Sequence, residues 1–507
     1  MEQIHRYLAC HAAGIPVPDA SQPEQAREPL PESLESLDSP DSPDGARFAA
    51  LRHWYGFPSG GGFRPALTRP DFLPDFLGTG HHAARVLAGR RPPIPLPLEQ
   101  VSGRVLAEAI RADRDQPPFA RATRDGFAVR ADEAAAGQTL LVTGHLRAGQ
   151  RFSGPQGSGV LAPGEACEIM TGAAVPPGAD AVVMVEHCEQ FSNCIRLAAG
   201  RSLAPGENIV PQAAEARAAD LLVPAGVRLR AAQIAVAAQN GYRELSVVPR
   251  PRVAILTTGD ELVPHTQQPG PVQIRNSNAA MLAALVQAIG GEAIVLPPAA
   301  DRADALDASL QQALNADLLL VSGGISVGRY DLVEDALTRA GARFFFGGVA
   351  IQPGKPVAFG QLPRPTRPNP ARPNPAQPNP AQPNPAQSNQ GHSQARPMPF
   401  LALPGNPISS AVTFHLFAAP LIAGLAEDVE PQPRFALAQF TGSWHGRPGL
   451  TRFLPAACDF SASPQVRLVP WQGSGDLAAL ARSNCFLAIA DDADSIADGS
   501  MVPILLA

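Results

Sequence analysis

Between residues 252 and 426 the chain alternates apolar runs of strand length with segments of helix length, and no other feature constrains its fold as tightly. Strands are expected at 253–257, 293–296, 317–321, 357–359 and 400–403. Helices are expected at 278–289, with Asn278 as the cap, and at 304–314, 332–340 and 408–425. Apolar runs without polar alternation have both faces buried, so the pattern predicts a doubly wound, mostly parallel sheet covered by helices on both sides. Ligands on such sheets bind beyond the carboxyl ends of the strands.

The 507 residues exceed what one core accommodates, and at roughly 100 to 200 residues per domain about three domains plus unstructured sequence are expected. The fold class is therefore multidomain α/β. Residues 1–80 carry acidic Ser/Pro-rich and glycine-rich text without periodicity, which predicts a disordered extension. Residues 81–250 mix helix-like text at 83–87 and 101–109 with strand-like runs at 139–143 and 179–185, as an irregular two-lobed module would. The central α/β domain is assigned to 251–430 and a small C-terminal β domain to 431–507, with strand-like runs at 434–440, 465–469 and 502–506. Inside the central domain the stretch 363–399 carries a five-residue repeat from Arg367 to Ala386, Arg-Pro-Asn-Pro-Ala passing into Gln-Pro-Asn-Pro-Ala. Proline lacks the backbone donor a sheet or helix needs, so this stretch reads as an expanded loop, in polyproline II or disorder.

Composition removes several classes of function. The balance is mildly acidic, 46 Asp plus Glu against 40 Lys plus Arg, with no basic cluster interleaved with aromatics, which argues against nucleic acid. No unbroken apolar run of membrane-spanning length and no signal-type N-terminus occur, so a cytoplasmic protein is expected. The 6 cysteines lack zinc-knuckle or CxxC spacing and read as reduced thiols. Among the 40 basic side chains Lys355 is the one lysine. A surface lysine tolerates replacement by arginine, whereas a site needing a compact ammonium on a flexible stem does not, so its survival is informative.

The residues able to carry chemistry sit at the predicted strand ends. Thr257-Thr258-Gly259-Asp260-Glu261-Leu262 places two carboxylates there, either as metal ligands or as the start of a solvated loop. Ser322-Gly323-Gly324-Ile325-Ser326-Val327-Gly328-Arg329-Tyr330-Asp331 is a glycine-rich strand-to-helix turn. It is a phosphate cradle by position or a structural turn, and it is neither a Walker A loop nor a dinucleotide fingerprint. Pro353-Gly354-Lys355-Pro356 holds the lysine in a rigid turn suited to an oxyanion. Leu403-Pro404-Gly405-Asn406-Pro407-Ile408-Ser409-Ser410 repeats the logic, with hydroxyls in the first turn of a helix.

These four motifs, in this order and spacing, resemble the central domain of the molybdopterin molybdenumtransferases, the MoeA and gephyrin E-domain family. The likeness extends upstream through Ala122-Thr123-Arg124-Asp125-Gly126-Phe127-Ala128, Ile169-Met170-Thr171-Gly172-Ala173 and Ala181-Val182-Val183-Met184-Val185-Glu186, and downstream through Gln472-Gly473-Ser474 and Asn484. The resemblance implies insertion of molybdenum from molybdate into adenylylated molybdopterin with release of AMP, assisted by Mg²⁺. It implies that Asp260 and Asp331 hold the metal, and that Gly323, Gly324, Ser326, Gly328, Gly405 and Asn406 bind the ligand. Lys355, Pro356, Ser409 and Ser474 match positions around molybdate, and Asp125 and Glu186 match acidic positions needed for activity. It further implies an elongated homodimer with an active site shared between subunits, and a molybdopterin adenylyltransferase and recipient molybdoenzymes as partners; composition, as above, argues against nucleic acid and membrane.

Three positions depart from the family pattern. Gln352 stands where a lysine is frequent, Glu215 where an aspartate is expected, and Leu450 where an arginine is expected, with Arg447 and Arg452 as the nearest substitutes. Two rival readings follow: a related adenylyltransferase, against which the flanking modules argue, and a non-catalytic molybdopterin-binding scaffold.

Overall fold

The computed structural model describes residues 91–324, 332–364, 397–429 and 433–507. The extension expected at 1–80, the helix expected at 83–87, the far side of the glycine turn with Ser326, Gly328 and Asp331, and the Pro-Asn-Pro repeat lie outside the described residues. The described chain divides into two compact units, one comprising Pro95–Ser102 and Leu106–Val247, the other chiefly Val248–Ala507.

In the upstream unit a six-stranded sheet runs in the order Ala181–Met184, Gly126–Val129, Glu165–Ile169, Leu140–Leu146, Cys194–Leu197, Cys188–Phe191. Alternating residues supply its two apolar faces: Phe127, Val129, Ala181 and Val183 on one, Ala128, Val182, Cys167 and Ile169 on the other. A second lobe buries Val101, Leu106, Ile110, Val223, Leu229 and Val247 beside the helix Ala231–Gln239. The helix expected at 101–109 is absent. Gly103 adopts φ +73°, which interrupts a right-handed helix, and the apolar residues around it are buried from turns instead.

The other unit holds the expected sheet with one strand beyond those expected, Arg343–Gly347, at its edge, in the order Glu292–Val295, Arg252–Thr257, Leu318–Ser322, Met398–Leu403, Ala358–Leu362, Arg343–Gly347. Ala358–Leu362 alone runs against the rest, pairing antiparallel with both neighbours. Along each central strand alternate residues enter different cores. Val253, Ile255, Leu318, Leu320, Leu401 and Leu403 face the layer that includes the helices Ser277–Ala288 and Pro407–Leu425. Ala254, Leu256, Leu319, Val321, Phe400 and Ala402 face Ala303–Ala313 and Leu332–Arg339. With both faces covered no position tolerates water, which is why these runs read as unbroken apolar text.

Two local expectations are corrected. Asn276, not Asn278, caps the first helix, its side chain accepting from the backbone N–H of Ala279 at 3.1 Å. The long helix after Asn406 begins at Pro407 and is interrupted by a π turn at Phe414–Ala418. Pro420 lacks an amide hydrogen and its ring crowds the preceding turn, and widening that turn accommodates it. This helix is apolar enough to span a membrane by composition, but it is buried inside the protein along almost its whole length, so it is a core helix.

After residue 433 the strands Thr451–Cys458, Gln465–Leu468, Phe435–Phe440, Met501–Leu506 and Cys485–Ile489 pair in a ring, closed by pairing between the first and last. Closure leaves no edge strand exposed within the ring. Ile351–Gln352, immediately before the lysine turn, adds to it alongside Thr451 and Arg452.

Candidate active site

Three adjacent strands end at one edge of the central sheet, and the turns that follow touch one another. Thr258 donates its backbone N–H to Ser322 O at 3.1 Å, and Gly323 donates to Leu403 O at 3.2 Å, which fixes the three strand ends in register. Gly323, at φ +103°, lies so close that a Cβ would stand 2.6 Å from Thr258 O. Gly324, at φ +65°, would bring a Cβ within 2.4 Å of Val333 Cγ2. A Cβ on Gly405 would approach Gly323 Cα to 3.4 Å. The glycines permit the approach of one turn to another as well as that of a ligand, so both functions proposed for them from sequence are compatible.

Asn406 stands at the N-cap of its helix, but its side chain makes no cap bond. Its side-chain amide donates instead to Ser474 Oγ at 2.8 Å, and Ile408 donates its backbone N–H to Ser474 O at 3.0 Å. Two residues 68 positions apart are thereby brought together, and the serine hydroxyl is oriented. Ser409 lies in the first turn of the helix at 5% exposure. The turn Pro353-Gly354-Lys355-Pro356 packs on the same helix, since a Cβ on Gly354 would meet Thr413 Cγ2 at 2.7 Å. The carbonyl of Lys355 accepts from Val349 N at 2.9 Å and Val357 N at 3.0 Å. Those bonds hold the backbone while the side chain is exposed and Pro356 half-buried. A cation on a fixed turn packed against that helix is suited to a small oxyanion.

Asp260 is exposed, and its Oδ1 accepts from the backbone N–H of Asp301 at 3.0 Å. Burial, then the Asp260 and Glu261 carboxylates, push the Asp301 carboxyl above its ordinary value. Among the described residues no group of three or more such side chains is gathered as a metal cage, so what the site offers a divalent cation is the hard carboxylate oxygens of Asp260 and its neighbours. Mg²⁺ needs only one or two protein carboxylates together with phosphate oxygens and water. Asp301 had no signal in the sequence, because its approach to Asp260 depends on the parallel neighbour Ala299, which bridges Thr258.

In the upstream unit Asp125 and Glu186 are neighbours at one sheet end. Gly126 pairs with Met184, and Val185 donates its backbone N–H to Asp125 O at 3.3 Å. Thr171 donates to the Asp125 carboxylate through its backbone N–H at 2.7 Å and its hydroxyl at 2.8 Å. Those bonds, the backbone one first, hold the Asp125 carboxyl below the usual aspartate value. Thr171 was visible in the sequence only as part of a family motif, without a role.

The departures take definite partners. Glu215 forms an ion pair with Arg121 at 2.7 Å. Gln352 lies opposite Arg452, but that guanidinium stacks over Trp444 at 5.5 Å and donates to the carbonyls of Leu450 and Arg447. Arg452 is therefore committed elsewhere as a replacement cation.

Family models match three successive stretches: the MoeA N-terminal region (domain I and II) over residues 79–241, the probable molybdopterin binding domain over 254–424, and the MoeA C-terminal region (domain IV) over 438–507. A molybdopterin molybdenumtransferase of Nostoc sp. is 35% identical over 343 residues, 66% of this chain and 70% of that protein. One of Synechocystis sp. is 31% identical over 409 residues, covering 79% and 92%. A crystal structure of the molybdopterin biosynthesis moeA protein from Pyrococcus horikosii superposes with TM-score 0.63 at 27% identity, over 85% of this chain and 98% of that one. With three family regions in order and a relative matched over most of its length, the chain belongs to the MoeA family of molybdopterin molybdenumtransferases.

Proposed function

We propose that this protein is a cytoplasmic enzyme that inserts molybdenum from molybdate into adenylylated molybdopterin and releases AMP. The observation that carries the reading is the convergence of the turns after Thr257, Ser322 and Leu403 at the carboxyl ends of three adjacent strands, with the only lysine in a turn packed against the helix that follows the third of them.

The chain's own residues divide the work. Gly323, Gly324 and Gly405 let the ligand's phosphates approach backbone amides, with Ser326 and Gly328 continuing that turn in sequence. Lys355 supplies positive charge to molybdate, and the hydroxyls of Ser409 and Ser474 supply hydrogen bonds, the latter oriented by Asn406. Pro356 keeps the lysine turn stiff. Asp260 and Asp331 would hold Mg²⁺, whose charge offsets what develops on the leaving phosphate. Asp125 and Glu186 are required for turnover, Asp125 kept ionised by Thr171. A homodimer, with a molybdopterin adenylyltransferase and recipient molybdoenzymes as partners, belongs to the same proposal.

The test is AMP release from molybdopterin-AMP by the purified full chain with Mg²⁺, with and without molybdate. Molybdate-stimulated release is expected. Tight binding without release would replace the transferase with a scaffold, and no binding would overturn the reading.

A further inference from the structure

One tripeptide, Asn276-Ser277-Asn278, is bonded to all three turns. Asn276 donates from Nδ2 to Thr257 Oγ1 at 2.8 Å, on the first strand end. Asn278 donates from Nδ2 to Ser322 Oγ at 3.0 Å, on the second, and to Gly405 O at 2.6 Å, on the third. From these contacts we propose that Asn278 is a positioning residue which, with Asn276, sets the spacing of the ligand turns. The proposal rests on the reading of those turns given above.

Helix capping does not account for Asn278. The cap is supplied by Asn276 Oδ1, which accepts from Ala279 N. Asn278 stands two residues inside the helix and directs its amide hydrogens out of it. A carbonyl can only accept, so Gly405 O fixes the amide with nitrogen toward the turns. The remaining Oδ1 is then buried without a hydrogen-bond partner among the described residues. A bare buried acceptor is a cost to folding, so the amide is poorly explained as a stabilising feature alone. Its donor side, by contrast, joins a buried network. Ser322 Oγ lies 3.2 Å from Ser410 Oγ, and Ser410 Oγ donates to Pro404 O at 2.7 Å. Because Gly405 and Gly323 are in near contact, a shift of the third turn displaces the second.

Asn278→Asp separates positioning from structure. The side chain keeps its shape, and the helix dipole offsets part of the cost of a partly buried carboxylate in the first helical turn, so only a modest fall in melting temperature is expected and the chain stays folded. The carboxylate has no hydrogen to donate, and it repels Gly405 O. Two readouts are expected to move. In the ligand-free full chain, amide exchange at Gly323 and at Gly405 with Asn406 accelerates together. In turnover, KM for adenylylated molybdopterin rises about tenfold while kcat stays within about twofold. Asn276→Asp, which keeps the cap acceptor and loses the donor to Thr257, is expected to loosen residues 257–262 alone. Unchanged exchange at both turns in Asn278→Asp would overturn the positioning role, and so would an unchanged KM in an active enzyme. If the parent chain releases no AMP, the functional reading falls, and the exchange measurement still decides whether Asn278 ties the turns.

Discussion

Replacing Gly354 by alanine is expected to damage both the fold and the site, and the structure gives the size of the effect. Gly354 sits at φ +116°, where side chains other than hydrogen are strained at about 1–3 kcal/mol. The added methyl would stand 2.7 Å from Thr413 Cγ2 and 3.0 Å from Ile351 Cδ1, and forcing it into that space costs about a further 1–3 kcal/mol. A fall in Tm on the order of 10 °C is the expected outcome. Thr413→Ser removes the methyl that the alanine would strike and keeps the hydroxyl that bonds to Ser409 O at 2.8 Å, at a cost of about 1 kcal/mol by itself. The double variant is therefore expected to be more stable than the sum of the singles, by about 1 kcal/mol. Thermal unfolding of all four proteins measures this cycle, and molybdate KM should rise in Gly354→Ala as the lysine turn lifts from the helix. A parental Tm for Gly354→Ala, or strict additivity with Thr413→Ser, would show that the turn does not press on the helix as described.

Other expectations are briefer. Lys355→Ala, whose side chain is exposed, should leave the Tm within about 1 °C while molybdate-dependent turnover falls about 10- to 100-fold, the worth of a charge-assisted hydrogen bond; undiminished turnover would remove Lys355 from the site. Asp125 has a folded pKa below its unfolded value, so its contribution to stability is present above the ordinary value of 3.8 and is lost as pH falls through the lower folded value. The Tm difference between the parent and Asp125→Asn should accordingly be constant at neutral pH and shrink on acidification through that range, and a difference that grows instead would contradict the Thr171 contacts. Leu362 and Met398 are partners in an antiparallel ladder, so a short turn is enough to join their strands. Replacing residues 365–395 by Asn-Gly should leave Tm, oligomeric state and AMP release near parental values, and loss of folded protein would show that the repeat contributes packing.

Much of the sheet was legible because its strands are buried on both faces, and unbroken apolar runs such as Val253 to Thr257 and Leu318 to Val321 have few other uses. Turn chemistry was legible for the same reason in reverse: a Gly-Gly after a strand, or Pro-Gly-Lys-Pro, narrows the backbone to a few conformations. The upstream unit was less so, since its short strands and turns carry no long period, and Gly103 defeated the helix expected across it.

Partnership was what the linear text withheld. Asn276 and Asn278 look alike in sequence, and which one caps the helix depends on where Thr257, Ser322 and Gly405 come to rest around it. Asp301 joins Asp260, Asn406 orients Ser474, and Arg452 is drawn to Trp444 rather than left to replace a missing cation. Local propensity acts over a few residues and writes itself into periodicity and turn motifs. A hydrogen bond spanning 127 positions, such as Asn278 to Gly405, exists only once packing of the intervening chain has brought its two ends within 2.6 Å.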